Sequence, residues 1–272
     1  MIHQLKENEY ERVRSLYRNL RFNLVIDSII DGTTPAWVFV DHKNKPQTAA
    51  MWNKQDALLL AGYDGNEKFN VALSDQLFQR IIPDAQRRYI PEISLYCDSD
   101  VWESRLGTIL RGGRAEKASR RYYAFGGLKG NWREQVPADS EIRRIDEVLL
   151  ESDELENVDH VVGWVRSFWR SNQNFVNTGF GYCLVKAETI VSWCLSVYVS
   201  GRDYELGVAT VPEHRRQGLA TLTAAACVGY CDENGLTPHW HCWNDNVGSI
   251  KVAENVGFEK PTPYYAYRFK LD

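Results

Sequence analysis

Arg215-Arg216-Gln217-Gly218-Leu219-Ala220 joins an apparent strand over 204–211 to a helix that opens Leu219-Ala220-Thr221-Leu222-Thr223-Ala224-Ala225-Ala226-Cys227. The first N–H groups of a helix have no partner inside it and lie at the positive end of its dipole, so an anion satisfies them. Gly218 has no Cβ, which permits a sharp turn and a close ligand, and Ala220 is the next smallest choice. Arg215 and Arg216 add charge and forked donors suited to phosphate oxygens. The turn therefore predicts a backbone cradle for a pyrophosphate.

Working outward, 181–186, 190–200 and 204–211 alternate as strands, joined by turns at Ala187-Glu188-Thr189 and Gly201-Arg202-Asp203. This is an antiparallel meander. The helix after the cradle extends to about residue 233, with Asn234-Gly235 as its stop. An aromatic-rich strand follows over 238–243, then Asn244-Asp245-Asn246, a second helix over 247–254, Gly257-Phe258 and a closing strand over 264–271.

With Arg215, Gly218 and Ala220 in one segment and Asn246, Ser249, Gly257 and Phe258 in the next, the chain resembles the GNAT superfamily of acetyl-CoA-dependent N-acetyltransferases. Gly235-Leu236-Thr237-Pro238-His239-Trp240 and Cys242-Trp243-Asn244 are similar to the branch containing zwittermicin-resistance N-acetyltransferases. The resemblance implies an α/β (α+β) fold, a mixed, mostly antiparallel sheet flanked by helices. It also implies acetyl-CoA as cosubstrate, its pantetheine arm lying between strands 204–211 and 238–243. Backbone groups of Ala209, Thr210 and Val211 would pair with that arm. N–H groups of Arg216, Gln217, Gly218, Leu219, Ala220 and Thr221 would hold the pyrophosphate, and Asn246 and Ser249 would touch the far end of the cofactor or fix the second motif.

Acyl transfer to an alkylamine, with a pKa near ~10, requires that its proton be removed. Glu205 is the candidate base, on the strand that the family uses but one residue from the commonest register, which a bulge would restore; it could also simply face solvent. The tyrosine by which family members often protonate the leaving thiolate is replaced by Ala253, which leaves Tyr230, Tyr264, Tyr265, Cys242 or solvent. His239 and His241 share a strand face, but no further ligand follows at metal-site spacing, so packing or substrate contact is expected and no metal. Cys227 and Cys231 read as small core residues, and 161–169, with Trp164, Phe168 and Trp169, as an amphipathic helix.

The remaining composition excludes other classes. A net charge of −4 in 272 residues argues against nucleic-acid binding. No apolar run approaches ~20 residues and Met1-Ile2-His3-Gln4-Leu5-Lys6 has no signal-peptide core, so no membrane span is expected. Six cysteines without framework spacing suit the cytoplasm. Turn-rich stretches at 126–130 and 135–140, followed by a β-like segment over 141–150, suggest domains over 1–130 and 131–272.

Tyr122-Tyr123-Ala124-Phe125 recurs as Tyr264-Tyr265-Ala266-Tyr267, an offset of 142 (264 − 122), and Cys97 precedes a helix much as Cys242 does. The first half reads as a helix over 7–20, strands over 36–40, 48–52 and 57–61, a helix over 70–82, a strand over 93–97 and a helix. It resembles a degenerate GNAT-like domain. Its turn, Gly62-Tyr63-Asp64-Gly65-Asn66-Glu67, carries acids where phosphates would sit, so this half is expected not to bind coenzyme A but to shape the acceptor site. An N-acetyltransferase of a small primary amine is the leading reading. A non-catalytic acyl-CoA sensor is the alternative, and an aminoacyl-type transferase is disfavoured by the intact cradle. Oligomeric state is not encoded in any of these patterns.

Overall fold

In the computed structural model, which describes residues 2–271, strands form at His3–Gln4 (β1), Trp37–Val40 (β2), Thr48–Trp52 (β3), Ala57–Gly62 (β4), Glu92–Cys97 (β5) and Glu116–Phe125 (β6), with β3 and β4 buried along almost their whole length. Further strands are Ser140–Arg144 (β7), Gly181–Lys186 (β8), Thr189–Ser200 (β9), Asp203–Thr210 (β10), Thr237–Trp243 (β11) and Phe258–Lys270 (β12). The α-helices are Leu24–Ile30 (α1), Glu67–Gln76 (α2), Ile82–Arg87 (α3), Leu106–Ile109 (α4), Glu147–Leu150 (α5), Val158–Phe168 (α6), Asn172–Thr178 (α7), Leu219–Asn234 (α8) and Val247–Val256 (α9).

The chain divides into two compact units, one ending at Ser119 but regaining residues 265–272, the other Arg120–Tyr264. In the first unit the strands run β1-β2-β3-β4-β5-β12, antiparallel except for β4 against β5, and Tyr267–Lys270 supply the last strand. In the second they run β7-β8-β9-β10-β11-β6, antiparallel except for β10 against β11, and Arg120–Tyr123 supply the last strand. Both units thus share one topology, and the Tyr-Tyr-Ala repeat falls on the two strands that each half gives to the unit of the other. This mostly antiparallel mixed sheet with flanking helices is the expected fold class.

Each unit has its own core. Trp52, Phe69, Leu73, Leu77, Trp102 and Tyr267 are buried together in the first, and Phe180, Leu206, Ala224, Cys227, Trp240 and Phe258 in the second.

Five local expectations change. The division falls at residue 119 rather than near 130, because Arg120–Tyr123 pair with β11. The glycine-rich stretch is no linker: a Cβ on Gly257 would lie 1.8 Å from the Gly127 carbonyl oxygen, so the backbones touch there. The strand expected over 141–150 stops at Arg144, since Asp146 accepts from Leu149 N–H at 2.9 Å and caps α5.

The helix expected over 7–20 is two 3-10 turns, Glu7–Val13 and Arg18–Leu20, followed by α1. Tyr10 and Val13, and again Tyr17 and Leu20, are buried three apart, a spacing that a 3-10 turn brings into line. The helix expected over 70–82 begins earlier, at Glu67, under an Asn66 cap. It passes through a π turn at Leu77–Ile81 just before Pro83, whose ring has no N–H to offer the ladder.

Candidate functional site

β10 and β11 are in register for only three pairs, Asp203↔Thr237, Tyr204↔Pro238 and Glu205↔His239. Beyond them β10 stays with β9, while β11 turns to β6 from Trp240 onward. The two parallel strands therefore fork at Glu205 and His239. A cleft of about 960 Å³ lies on the far arm of the fork, walled by Val208, Ala209 and Thr210 of β10, the turn after them, and one side of α9.

The turn has the backbone that an anion cradle needs. Arg216 and Gly218 are both left-handed, with φ of 63° and 80°, and a Cβ on Gly218 would meet nothing within 4 Å, since it would stand in open space. Gly218 is the residue before α8. Among the described residues, the N–H groups of Arg216 through Ala220 meet no acceptor outside the helix, whereas Thr221 N–H, expected in the cradle, already donates to the Gly218 carbonyl at 3.0 Å. Arg215 is pinned by an Nε bond to the Thr210 carbonyl at 3.1 Å. His214 adds a buried Nδ1 that has no hydrogen-bond partner.

Arg215, Arg216, Lys251 and His214 line the cleft, and among the described residues its lining holds no carboxylate. Open N–H groups, a missing Cβ facing empty space and an unopposed positive wall fit a diphosphate and its adjoining chain.

Most of the predicted contact residues come together here: Ala209, Thr210, Arg215, Arg216, Gly218, Leu219, Ala220, Thr221, Asn246 and Ser249 all line the cleft. Val211 and Gln217 do not. β10 ends at Thr210, and Val211 gives its N–H to Val191 and its carbonyl to His214, so both groups are engaged. The Gln217 side chain turns to the Glu213 carbonyl. Asn246 caps α9 by accepting from Ser249 N–H at 3.0 Å, and the Ser249 hydroxyl accepts from the Trp240 indole at 3.0 Å. Asn246 thereby closes the start of α9 and Ser249 fastens it to β11.

Val247, Lys251 and Asn255 also line the cleft and were missed. Their i, i+4, i+8 spacing, starting at Val247, was the available signal. Ala253 is on the other side of α9, fully buried in the core.

Tyr204, Leu206 and Val208 pack into the core of this unit, so Asp203, Glu205 and Gly207 face the opposite side of the sheet. There a Cβ on Gly207 would lie 3.1 Å from Trp164 of α6. Glu205 is half-buried on this face, at the vertex of the fork and outside the cleft lining. A register shift falls between Glu205 and Leu206, but the extra residue, Val197, belongs to β9, so β10 lacks the bulge expected to restore the direction of Glu205. Beside Glu205, His239 Nε2 is 2.8 Å from Asp203 Oδ1.

Further along β11, His241 Nδ1 is 3.0 Å from the Tyr264 hydroxyl, which accepts from Arg120 Nε at 2.9 Å. Neither histidine belongs to a group of three or more metal-ligating side chains among the described residues. Of the other proton donors considered, Tyr230 packs against Phe180 with its ring tilted by 44° and centroids 4.5 Å apart, and Cys242 is buried, which pushes its thiol up. Tyr265 lies in the first unit.

The corresponding place in the first unit is shut. β4 and β5 stay paired from Ala57↔Ser94 to Leu60↔Cys97, and Asp98 extends the seam by donating its N–H to Leu60 and accepting from Gly62 N–H at 3.0 Å. The start of α2 is closed by its own Asn66 side chain, which accepts from Phe69 N–H, while Asp64 pairs with Arg105 at 2.9 Å.

Comparison with known proteins agrees with this geometry. A family model described as GNAT acetyltransferase matches residues 14–267. "Uncharacterized N-acetyltransferase YdfB" of Bacillus subtilis (strain 168) is 25% identical over 269 residues, 98% of each chain. A GCN5-related N-acetyltransferase-like protein of Streptococcus suis superposes with a TM-score of 0.69 at 20% identity, over 96% of this chain and 98% of that one. A tandem GNAT protein from the clavulanic acid biosynthesis pathway does so with a TM-score of 0.54 at 14% identity, over 99% and 97%. No helix among the described residues is long and apolar enough to cross a membrane. With the family match spanning both units and the fork and cradle falling in the second, this chain belongs to the GNAT acetyltransferase family and is an acyltransferase.

Proposed function

We propose that the protein transfers the acetyl group of acetyl-CoA directly to a primary amine of a small molecule, a metabolite, antibiotic or amino-acid-like compound, in the second unit. The observation that carries this reading is the open backbone turn at Arg216–Ala220 beside forked strands. Bound there, acetyl-CoA would supply an activated acyl group. The N–H groups from Arg216 to Ala220 hold its phosphates, with Arg215, Arg216 and Lys251 as counter-charges; Ala209 and Thr210 offer backbone along the fork. Glu205, at the vertex, takes the proton of the incoming ammonium. The first unit, with its seam shut, holds no coenzyme A.

Residues 235–244 keep the zwittermicin-resistance branch in view as an acceptor class. All six cysteines are free, which suits the cytoplasm. A single test examines the donor site: calorimetry of acetyl-CoA against the wild type and Gly218→Glu, with binding expected only in the former. Absence of binding to the wild type ends the proposal.

One feature favours a second reading, a non-catalytic acyl-CoA sensor: the position where relatives often carry a proton-donating tyrosine is Ala253, buried in the core. A sensor binds acetyl-CoA and releases no thiol with any amine, whereas the enzyme releases it only when an acceptor is present.

A further inference from the structure

The reading of Glu205 as the base leaves open where the proton comes to rest. A carboxylate is a poor terminal acceptor for an alkylammonium proton, since ordinary values near ~4 and ~10 lie about six units apart. An imidazole, near ~6.5, is about a hundredfold stronger base. One stands next to Glu205: His239 is its register partner on β11, about 4.8 Å away across the ladder and on the same face of the sheet. Resting on the acetyl-transfer reading above, we propose that the proton taken by Glu205 passes to Nδ1 of His239, which Asp203 holds in the receiving orientation.

The hydrogen bonding fixes which nitrogen receives. A carboxylate can only accept, so the 2.8 Å contact to Asp203 Oδ1 requires His239 Nε2 to carry a hydrogen. In the neutral ring Nδ1 is then the bare nitrogen. In the transfer an N–H bond of the ammonium breaks as an O–H bond forms on Glu205. That O–H bond breaks as N–H forms at Nδ1, and the resulting imidazolium is offset by Asp203 through Nε2–H. The His239 side chain is 26% exposed and that of Asp203 46%, so the imidazolium can return its proton to water after product leaves.

The titratable neighbours on this face are Asp203 and Glu205 on β10, Tyr198 on β9, His241 on β11 and Tyr122 on β6. Two of these, Asp203 and Glu205, are carboxylates. His241 lies further along, tied to Tyr264 and through it to the Arg120 guanidinium, a surrounding of the opposite sign. Two histidines one alternation apart are thus set to different tasks by their partners. Asp203 acts through His239 and is a positioning residue.

The test uses the full chain with acetyl-CoA and three acceptor probes: phenethylamine, glucosamine and lysine. It compares the wild type with His239→Gln and Asp203→Asn. The proposal expects nitrogen-15 spectra of the free wild type to show His239 protonated at Nε2 and bare at Nδ1. It expects His239→Gln to lose about 10² in acceptor-dependent thiol release, with the acidic limb of the pH profile removed and acetyl-CoA affinity kept. Asp203→Asn should let the neutral ring take up the Nδ1–H form in the same spectra, lower turnover and leave affinity alone. A neutral His239 protonated at Nδ1, or a His239→Gln variant within about threefold of the wild type with an unchanged profile, overturns it. A wild type that shows the Nε2–H ring and releases no thiol with any probe instead overturns acetyl transfer, and the relay with it.

Discussion

At Gly218 a backbone requirement and a ligand requirement coincide. Its φ of 80° is strained for any other residue by about 1–2 kcal/mol, and the empty space beyond it belongs to the cleft. Gly218→Ala is therefore expected to lower stability by about that amount in a denaturant titration while weakening acetyl-CoA only modestly, whereas Gly218→Glu should remove binding altogether. Comparable melting of the two variants with unequal binding would separate strain from obstruction. Asn246→Ala removes the cap of α9 and is expected to cost about 1 kcal/mol, read as a shift in the denaturation midpoint.

Among the elements, those legible in the sequence were the ones whose signals are local. β8 to β11, α8 and α9 announced themselves through alternation, the Asn234-Gly235 stop and the Gly257-Phe258 ending, and the cradle followed from residues adjacent along the chain. What stayed hidden depended on distant pairing. Nothing near Val211 indicates that Val191 and His214 use its backbone, and nothing near Glu205 reveals that the bulge is carried by Val197 on β9. α1 was missed because Leu24–Ile30, mostly β-branched and apolar, is a helix through burial rather than propensity. Gly207 illustrates the same dependence: its lack of a Cβ is needed by Val197 and Trp164, 2.7 and 3.1 Å from where one would stand. Gly207→Val should push α6 off β10, seen as a lower Tm and a changed tryptophan emission, with acetyl-CoA binding less affected than acceptor-dependent turnover.

For the whole molecule, burial pushes the thiols of Cys97, Cys183 and Cys231 up to about 12, and that of Cys227 well above its ordinary value. A thiol in the unfolded chain ionises near ~8.5, so above that pH the unfolded state has lost protons that the folded state retains. This contribution to stability is complete below about pH 8.5 and falls as pH rises toward 12, by up to about 1.4 kcal/mol per pH unit for each thiol. Urea midpoints that decline from pH 8 to 10, together with thiols that stay unreactive until the chain unfolds, are the expected result. The two halves have also traded their closing strands, Arg120–Tyr123 to β11 and Tyr267–Lys270 to β5. Synthesis runs in one direction, so the first unit is made early but keeps a bare β5 edge until residues 267–270 have cleared the ribosome. A nascent chain halted before them presents an unpaired strand of the kind that chaperones hold and aggregates recruit.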